Sequence, residues 1–249
     1  MDLINMPGKL ISIGDASKLL GVSIDSLRRW DKTHRLPSVR NGSKGHRYYR
    51  QIDIDVFLRD IVTLAGQWAS AEKGITLEQD VYCQTRDIFQ ARLEKLQSSL
   101  QRVVASKATS LLSAIAGEIG NNSFDHNLGN WPDIAGIYFS YDLGSRVIVL
   151  ADRGQGILTT LKRVRPVLAS DGDALKIAFT ETVSGRFPEA RGNGLKFVRD
   201  VIVGNPFSLD FETGNAHLYL KENDRGIIIT PEEKYIRGCL AIIRFENLV

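Results

Sequence analysis

The sequence predicts an α+β fold, in which a small helical N-terminal part precedes a mixed β-sheet covered by helices on one face. Three observations predict this class. Two short amphipathic segments flank Gly21, a long helical pattern spans residues 76–106, and residues 107–249 combine helical segments with many short β-rich segments. Helices segregated from a run of strands are typical of α+β domains. We divide the chain into residues 1–60, a helical linker of residues 61–106, and residues 107–249.

Composition limits the class of protein. The chain has 249 residues, which suits one large domain or two smaller ones. Its 43% hydrophobic and 24% charged residues are ordinary for a globular protein with a sizeable core. No apolar run approaches the length of a bilayer span and no N-terminal signal is visible, so we expect a cytoplasmic protein without membrane contact. Cys83 and Cys239 are too few for a disulfide framework or a metal knot.

Charge is divided unevenly along the chain. Residues 1–50 hold ten Lys and Arg against four Asp and Glu, a balance of +6, which leaves 22 against 25 for the remainder. A basic N-terminal part on a mildly acidic body suggests contact with a polyanion. A solvated basic face would show the same balance, so charge alone leaves both interpretations open.

The first predicted elements are two short helices separated by a tight turn. Ser12 stands at an N-cap position with Asp15 three residues later, the spacing of a capping box. Gly21 ends this helix, and Ser23 can cap a second one, "SIDSLRRWD". This is helix-turn-helix spacing, in which the second helix enters the major groove of DNA.

A basic and aromatic segment follows, "RLPSVRNGSKGHRYYRQIDID", in which "NGSKG" is predicted to be a hairpin tip. In this order of helix, turn, recognition helix and "RYY" strand, residues 10–58 resemble the MerR/excisionase-type winged helix-turn-helix. The resemblance implies contacts with double-stranded DNA from helix and wing residues, namely Ser26, Arg28, Arg29, Lys44, His46, Arg47 and Tyr48. A protein-docking module with the same fold is the alternative.

The middle of the chain is predicted to be helical, with a turn at Gly74 and a long helix over residues 76–106. Within that helix, apolar residues step by four and three, at Phe89, Leu93, Leu96, Leu100 and Val103. Such a seam is typical of a coiled coil, which would make the protein a homodimer. A helix that packs on the C-terminal part of its own chain gives the same pattern, and both interpretations stay open.

In residues 107–249 the predicted helices are "LLSAIAGEIGNNSFDHN", "ALKIAFT" and "GLKFVRDVIVG". The predicted strands are "IAGIYFSYD", "SRVIVLAD", "FSLDFETG", "HLYLKEN", "GIIIT" and "CLAIIRFE", separated by Gly, Asn and Asp.

Three polar or glycine-rich segments interrupt these elements. "EIGNNSFDHN" ends an otherwise apolar helix, and "ADRGQGI" follows directly on the apolar strand "VIVL". "ARGNGLKFV" places Gly192 and Gly194 immediately before a helix, where backbone N–H groups and the helix dipole can hold a phosphate.

In this order, the three segments resemble the motifs of the GHKL ATPases, the family of gyrase, the Hsp-type chaperone, histidine kinases and mismatch-repair ATPases. "EIGNNSFDH" matches the N-box, "DRGQGI" the first glycine box and "GNGL" the second. The resemblance covers about residues 107–247 and implies a Bergerat-type α/β sandwich that binds ATP and Mg²⁺.

Chemistry and resemblance agree on the roles of two residues. Glu118 and Asn122 are four apart and share one helix face. An amide oxygen can complete the octahedral shell of Mg²⁺, and a carboxylate one turn away can position an attacking water. The resemblance assigns Asn122 to the metal and Glu118 to the general base. It also implies nucleotide contacts from Asp125, His126, Asp152 (to the adenine amino group), Gly154, Gly156, Ile157, Gly192, Asn193, Gly194, Leu195 and Lys196, with residues 158–190 as a lid.

The sequence departs from the family in places. Many members carry a Thr near the adenine on a late strand, where "RGCLAII" offers Gly238 and Cys239. No segment resembles the phospho-acceptor helix of a histidine kinase, which disfavours a sensor kinase.

Two functional classes remain. One is a DNA-binding regulator controlled by ATP. The other is an ATP-dependent enzyme acting on a partner protein, either an anti-sigma-like serine kinase or an ATPase switch. Glu118 suits hydrolysis and hydroxyl activation equally, and the N-terminal DNA-binding domain that the resemblance implies favours the regulator.

Overall fold

The N-terminal part, residues 10–57, which we call the head, has the predicted helix-turn-helix. The computed structural model describes residues 9–20, 22–32, 36–40, 45–74, 76–182 and 193–246. The elements of the head are β1 (Leu10–Ser12), α1 (Ile13–Leu20), α2 (Ile24–Lys32), β2 (Val39–Arg40), β3 (Arg47–Arg50) and the first turns of α3 (Gln51–Ser70). The three strands pair antiparallel in the order β1-β3-β2. The predicted hairpin tip at residues 41–44 lies outside the described residues.

Local sequence explains the two short helices. The Asp15 N–H donates to Ser12 Oγ at 3.2 Å, so Ser12 caps α1 as predicted, and the Ser12 hydroxyl in turn donates to Asp15 Oδ2 at 2.7 Å. The Ser26 N–H donates to Ser23 Oγ at 3.0 Å and begins α2 in the same way. Apolar residues from all its elements form the core of the head: Ile11, Ala16, Leu20, Leu27, Trp30, Leu36, Tyr49, Ile54 and Phe57.

Asp31, at the end of α2, ties the recognition helix to the wing. Its Oδ2 accepts hydrogen bonds from Arg40 and from Arg47, both at 2.7 Å, and Oδ1 accepts the Ser38 N–H at 2.9 Å. Burial alone would raise the pKa of Asp31, but the hydrogen bonds from Arg47, Ser38 and Arg40 outweigh it and hold this pKa well below its usual range.

The C-terminal part is built on a five-stranded sheet of β4 (Tyr82–Cys83), β5 (Ile137–Asp142), β6 (Val147–Asp152), β7 (Phe207–Lys221) and β8 (Ile229–Phe245), in the order β4-β5-β6-β8-β7. Among the described residues every pairing is antiparallel, so the α+β class is confirmed but the predicted mixed sheet is wrong. Short connections join β5 to β6 and β7 to β8 as hairpins, which are antiparallel.

Two strands that were predicted separately form one strand, β7, in the second hairpin. "FSLDFETG" and "HLYLKEN" belong to β7, which continues through a bulge between Thr213 and Ala216. Gly214 has a φ of +57° at this bulge, a conformation that a residue with a side chain rarely adopts.

Helices cover both faces of the sheet, whereas one covered face was predicted. On one face lie α4 (Arg86–Leu100), α5 (Ser106–Asn127), α7 (Asp171–Thr180) and α8 (Gly194–Val203), and the short α6 (Gly156–Lys162) follows β6. The second half of α3 covers the other face with Ile61, Ala65, Trp68 and Ala69. Neighbouring strand residues point to opposite faces, so Phe139 packs in the first layer and Tyr138 in the second.

Residues 61–106 form no separate linker. The predicted helix from residue 76 begins at Arg86, because residues 82–83 form strand β4 instead. Phe89, Leu96 and Leu100 of the predicted seam are fully buried in the core of their own chain, and only Val103 is exposed, by 40%. The seam therefore packs within the chain and is not a coiled-coil surface. None of the described helices combines the length and apolar character that a bilayer crossing requires.

Candidate functional site

A cavity of about 430 Å³ lies between α5, α8 and the ends of β6 and β8. Cavities that bind small molecules measure roughly 300–1,000 Å³. Most of the residues predicted to bind a nucleotide line it together: Glu118, Asn122, Asp125, His126, Asp152, Gly156, Ile157, Asn193, Gly194 and Leu195. Gly154 and Lys196 are not among the lining residues, and Gly192 lies outside the described part of the chain.

Helix α5 explains the polar end of "EIGNNSFDHN". Its first four turns are buried on most sides, with Leu112, Ile115 and Ala116 in the core. Further along, Glu118 and Asn122 line the cavity, one turn apart as the spacing predicts. The helix therefore begins as core and ends as one wall of the cavity.

Asp152 is the most buried carboxylate of the cavity. It ends β6 and is only 2% exposed. Its Oδ2 accepts the Ser123 hydroxyl at 2.7 Å and its Oδ1 accepts the Gly154 N–H at 2.7 Å. Burial raises the pKa of this carboxyl, against the effect of these hydrogen bonds. Each carboxylate oxygen has two lone pairs, so Asp152 retains capacity to accept a further donor from the cavity.

The glycine-containing loop after β6 packs against the end of α5. The Asn127 side chain accepts the Gln155 N–H at 2.8 Å and donates to Ser123 O at 2.8 Å. A Cβ on Gly154 would lie 2.1 Å from Asn127 Nδ2, so this glycine permits close packing and does not itself face the cavity. Gly156 has a φ of +74° at the start of α6. The role of Asn127 was not predicted.

Strands β7 and β8 close the cavity behind Asp152. Cys239 pairs with Asp152 in the sheet and lines the cavity, and burial, with the Asp152 carboxylate nearby, raises the pKa of its thiol. The Thr213 hydroxyl donates to Gly238 O at 2.7 Å and accepts the Ile157 N–H at 3.4 Å. A threonine of β7 therefore stands beside the loop after Asp152.

The N-terminus of α8 meets Glu118. A Cβ on Gly194 would lie 1.9 Å from Glu118 Oε1, so the Glu118 side chain rests directly on the first residue of this helix. Asn193 precedes it and accepts the Thr182 hydroxyl at 2.7 Å. Of the predicted lid, residues 158–182 include most of α6 and all of α7 and contribute Thr160, Leu161 and Ala178 to the lining, whereas residues 183–190 lie outside the described part.

Two lining residues come from α4, which the sequence had not connected with the cavity. The Arg86 guanidinium pairs with the Asp125 carboxylate, and the Gln90 amide donates to Asn121 Oδ1 at 3.1 Å. Their sequence signal was hidden, because the apolar seam of the same helix suggested a coiled coil.

The residues predicted to contact DNA differ in exposure. Arg28 and His46 are exposed, and Arg28 pairs with Asp25 on its own helix at 2.8 Å. Ser26 is only 4% exposed, with its hydroxyl 2.8 Å from that of Ser23, so its side chain is engaged within the head. Tyr48 is half-buried.

Like Arg28, two further predicted DNA contacts, Arg47 and Arg29, form ion pairs within the chain. Arg47 is 21% exposed and bound to Asp31, which gives it a role inside the wing. Arg29 binds Asp80 at 2.7 Å and lies 3.7 Å from Glu78, and both carboxylates belong to the segment before β4. Lys44 lies outside the described residues.

Comparison with known proteins gives two similarities. Residues 12–49 match the family described as MerR family regulatory protein. The chain is also 32% identical, over 71 residues, to the type II methyltransferase M.Eco47II of Escherichia coli, and this stretch covers 28% of the chain and 17% of that protein. The chain therefore carries a MerR-type DNA-binding helix-turn-helix domain at residues 12–49. The matched family residues do not include the cavity.

Proposed function

We propose that this protein is a DNA-binding regulator whose head is controlled by ATP and Mg²⁺ bound in the cavity. One observation carries the proposal. Three segments separated in the sequence, at residues 118–126, 152–157 and 193–195, converge on one cavity with a buried carboxylate at its base. Such convergence of polar groups in a concave site is the basis of ligand recognition.

Asp152 would hold the adenine. It is buried, aligned by the Ser123 hydroxyl and the Gly154 N–H, and able to accept one more hydrogen bond. The amino group of adenine is a donor that fits this acceptor. Ile157, Leu161 and Phe211 supply apolar lining for a base.

Glu118, Asn122 and the start of α8 would serve the phosphates. The N-terminus of a helix favours an anion, and Gly194 occupies that position in the cavity wall. Asn122 would supply an oxygen ligand to Mg²⁺, which neutralises phosphate charge when it is bound. The other ligands of this Mg²⁺ would come from the nucleotide and from water.

The connection between cavity and head supports control. Arg153, next to Asp152, has a fully buried side chain whose guanidinium donates to the backbone oxygens of Trp68 and Ala71 at the end of α3. Asp133 balances its charge. Because α3 begins in the core of the head, a displacement of the loop after β6 would reach the head through one helix.

The alternative is an ATP-dependent enzyme that acts on a partner protein, as an anti-sigma-like serine kinase or an ATPase switch. The position of Glu118 in the cavity wall favours it, since a carboxylate there could activate a water or a hydroxyl. Glu118→Ala would then abolish turnover and leave nucleotide binding in place.

Duplex DNA affinity, measured with and without ATP and Mg²⁺, tests the proposal. A labelled duplex from the region upstream of the coding sequence serves as probe, with Asp152→Asn as the comparison. The regulator predicts that the DNA dissociation constant of the wild type changes with ATP, and that the variant binds ATP at least about tenfold more weakly and loses the response. ATP binding without a DNA response, together with turnover on a partner, would establish the enzyme instead. An Asp152→Asn variant with unchanged ATP affinity would remove the cavity from the proposal.

A further inference from the structure

Arg86 is a cavity residue that the three motifs do not include. It is the first residue of α4, with Thr85 as N-cap, and its side chain is 45% exposed. Its guanidinium pairs with the carboxylate of Asp125 on α5, and both side chains line the cavity.

The cavity lining carries more negative than positive side chains, which makes the Arg86 guanidinium important for an anionic ligand. Three carboxylates line the cavity, those of Glu118, Asp125 and Asp152. In the part of the chain that the structure describes, Arg86 is the single Lys or Arg among the lining residues. A polyphosphate entering this acidic lining would meet repulsion that Mg²⁺ offsets only in part.

The position of Arg86 favours phosphate over base. Asp125 follows Glu118 by seven residues and Asn122 by three, which places all three on one face of α5. Asp152 meets α5 through Ser123, on a neighbouring face. The guanidinium therefore pairs with the face of α5 that carries Glu118 and Asn122, whereas the proposed adenine contact meets the neighbouring face.

We propose that Arg86 binds the phosphates of the nucleotide and exchanges its partner Asp125 for them. The inference rests on the proposed ATP site. A guanidinium offers a planar fork that binds phosphate oxygens in pairs, and a more highly charged phosphate competes well with a single carboxylate. Arg86 thereby makes the cavity selective for the polyphosphate over the nucleoside.

Calorimetry with ATP and with adenosine, each with Mg²⁺, tests this role in the full chain. Arg86→Gln should weaken ATP binding about ten- to a hundredfold and leave adenosine binding unchanged. Arg86→Lys, which keeps the charge but loses the fork, should recover part of the ATP affinity. Unchanged adenosine binding shows that each variant retains the cavity.

Arg244→Gln is a matched control. Arg244 pairs with Asp210 with side-chain exposures of 47% and 22%, against 45% and 23% for the Arg86 pair, and neither residue lines the cavity. Its loss should affect neither ligand. If Arg86→Gln leaves ATP affinity unchanged, or weakens ATP and adenosine equally, the assignment of Arg86 is wrong while the ATP site stands. If the wild type binds no adenine nucleotide, the proposed function itself fails.

Discussion

The absence of a side chain at Gly154 lets the loop after β6 pack closely against Asn127. The nearest neighbours of an added Cβ are three atoms of the Asn127 side chain, at 2.1–2.4 Å. That amide cannot move aside cheaply, because it is buried and holds both Gln155 and Ser123. By contrast, a Cβ added at Gly226 would have no atom within 4 Å.

These two glycines give a prediction about stability. Gly154→Ala should lower the free energy of unfolding by about 1–3 kcal/mol, the usual effect of overpacking. Gly226→Ala should change it by less than about 0.5 kcal/mol, since the exposed position can accept a methyl group. Urea denaturation followed by circular dichroism measures both. Equal stabilities of the two variants would mean that the loop relaxes freely and that Asn127 does not hold it.

Asp31 predicts a pH dependence of the head. Its folded-state pKa lies well below the usual range, so the ionised form stabilises the native state. This contribution is fully present above the pKa of an unfolded Asp, about 3.9, and is lost progressively as the pH falls below it. We expect Asp31→Asn to melt below the wild type at pH 7, with a gap that narrows below about pH 4. A gap that is constant between pH 7 and pH 3 would contradict the role of the Asp31 charge.

At the scale of elements, the recognition helix is held by the C-terminal part. Arg29 of α2 binds Asp80, and Glu78 lies nearby, while Leu19 of α1 lies 3.3 Å from the position of a Cβ on Gly144 in the β5–β6 turn. If Arg29 contacts DNA as predicted, DNA phosphates would compete with these carboxylates for the same guanidinium. We therefore expect the arrangement to oppose DNA binding through Arg29.

Releasing this contact should strengthen DNA binding. Asp80→Asn is expected to raise duplex affinity about two- to fivefold, in proportion to the small energy of a half-exposed ion pair. In an Arg29→Ala background the same change should have no effect, which a double-mutant cycle in an anisotropy titration would measure. Asp25→Asn, which frees Arg28 on the same helix, controls for the loss of one negative charge. If Asp80→Asn also raises duplex affinity in the Arg29→Ala background, the gain comes from the loss of one negative charge and not from the release of Arg29.

Elements with a strong local pattern could be predicted from the sequence. The N-cap serines of α1 and α2, the apolar strands β5 and β6, and the polar end of α5 all carry their signal within ten residues. The cavity could be outlined because its residues belong to three such segments.

Features that depend on distant partners could not be predicted. Strand β4 has two residues and exists through its pairing with β5, more than fifty residues away. The apolar stripe of α4 indicates a buried face but not which surface buries it, and this ambiguity also concealed Arg86. For the same reason, the sequence did not show that the second half of α3 covers the second face of the sheet.

At the scale of the molecule, α3 belongs to two cores at once. Its Ile54 and Phe57 pack in the head, and its Trp68 and Ala69 pack on the sheet. The predicted boundary at residue 60 falls in the middle of this helix, which has 20 residues and spans about 30 Å. Head and sheet are therefore joined by one continuous helix.

Because α3 is continuous, the number of residues in it sets the orientation of the head relative to the sheet. One residue inserted near position 60 would rotate the head by about 100° and advance it by about 1.5 Å. The head would turn away from Asp80, and we expect the ATP response of DNA binding to be lost while ATP still binds.

Seven inserted residues would complete nearly two turns, returning the head to its original angle about 10 Å further out. DNA titrations of the two insertion variants then separate two routes of communication. A response that returns with seven residues depends on the angle set by α3, and one that stays absent depends on the direct contact of Arg29 with Asp80. In the first case rotation of α3 would carry the signal to the head. In the second case breakage of the Arg29–Asp80 ion pair would release it.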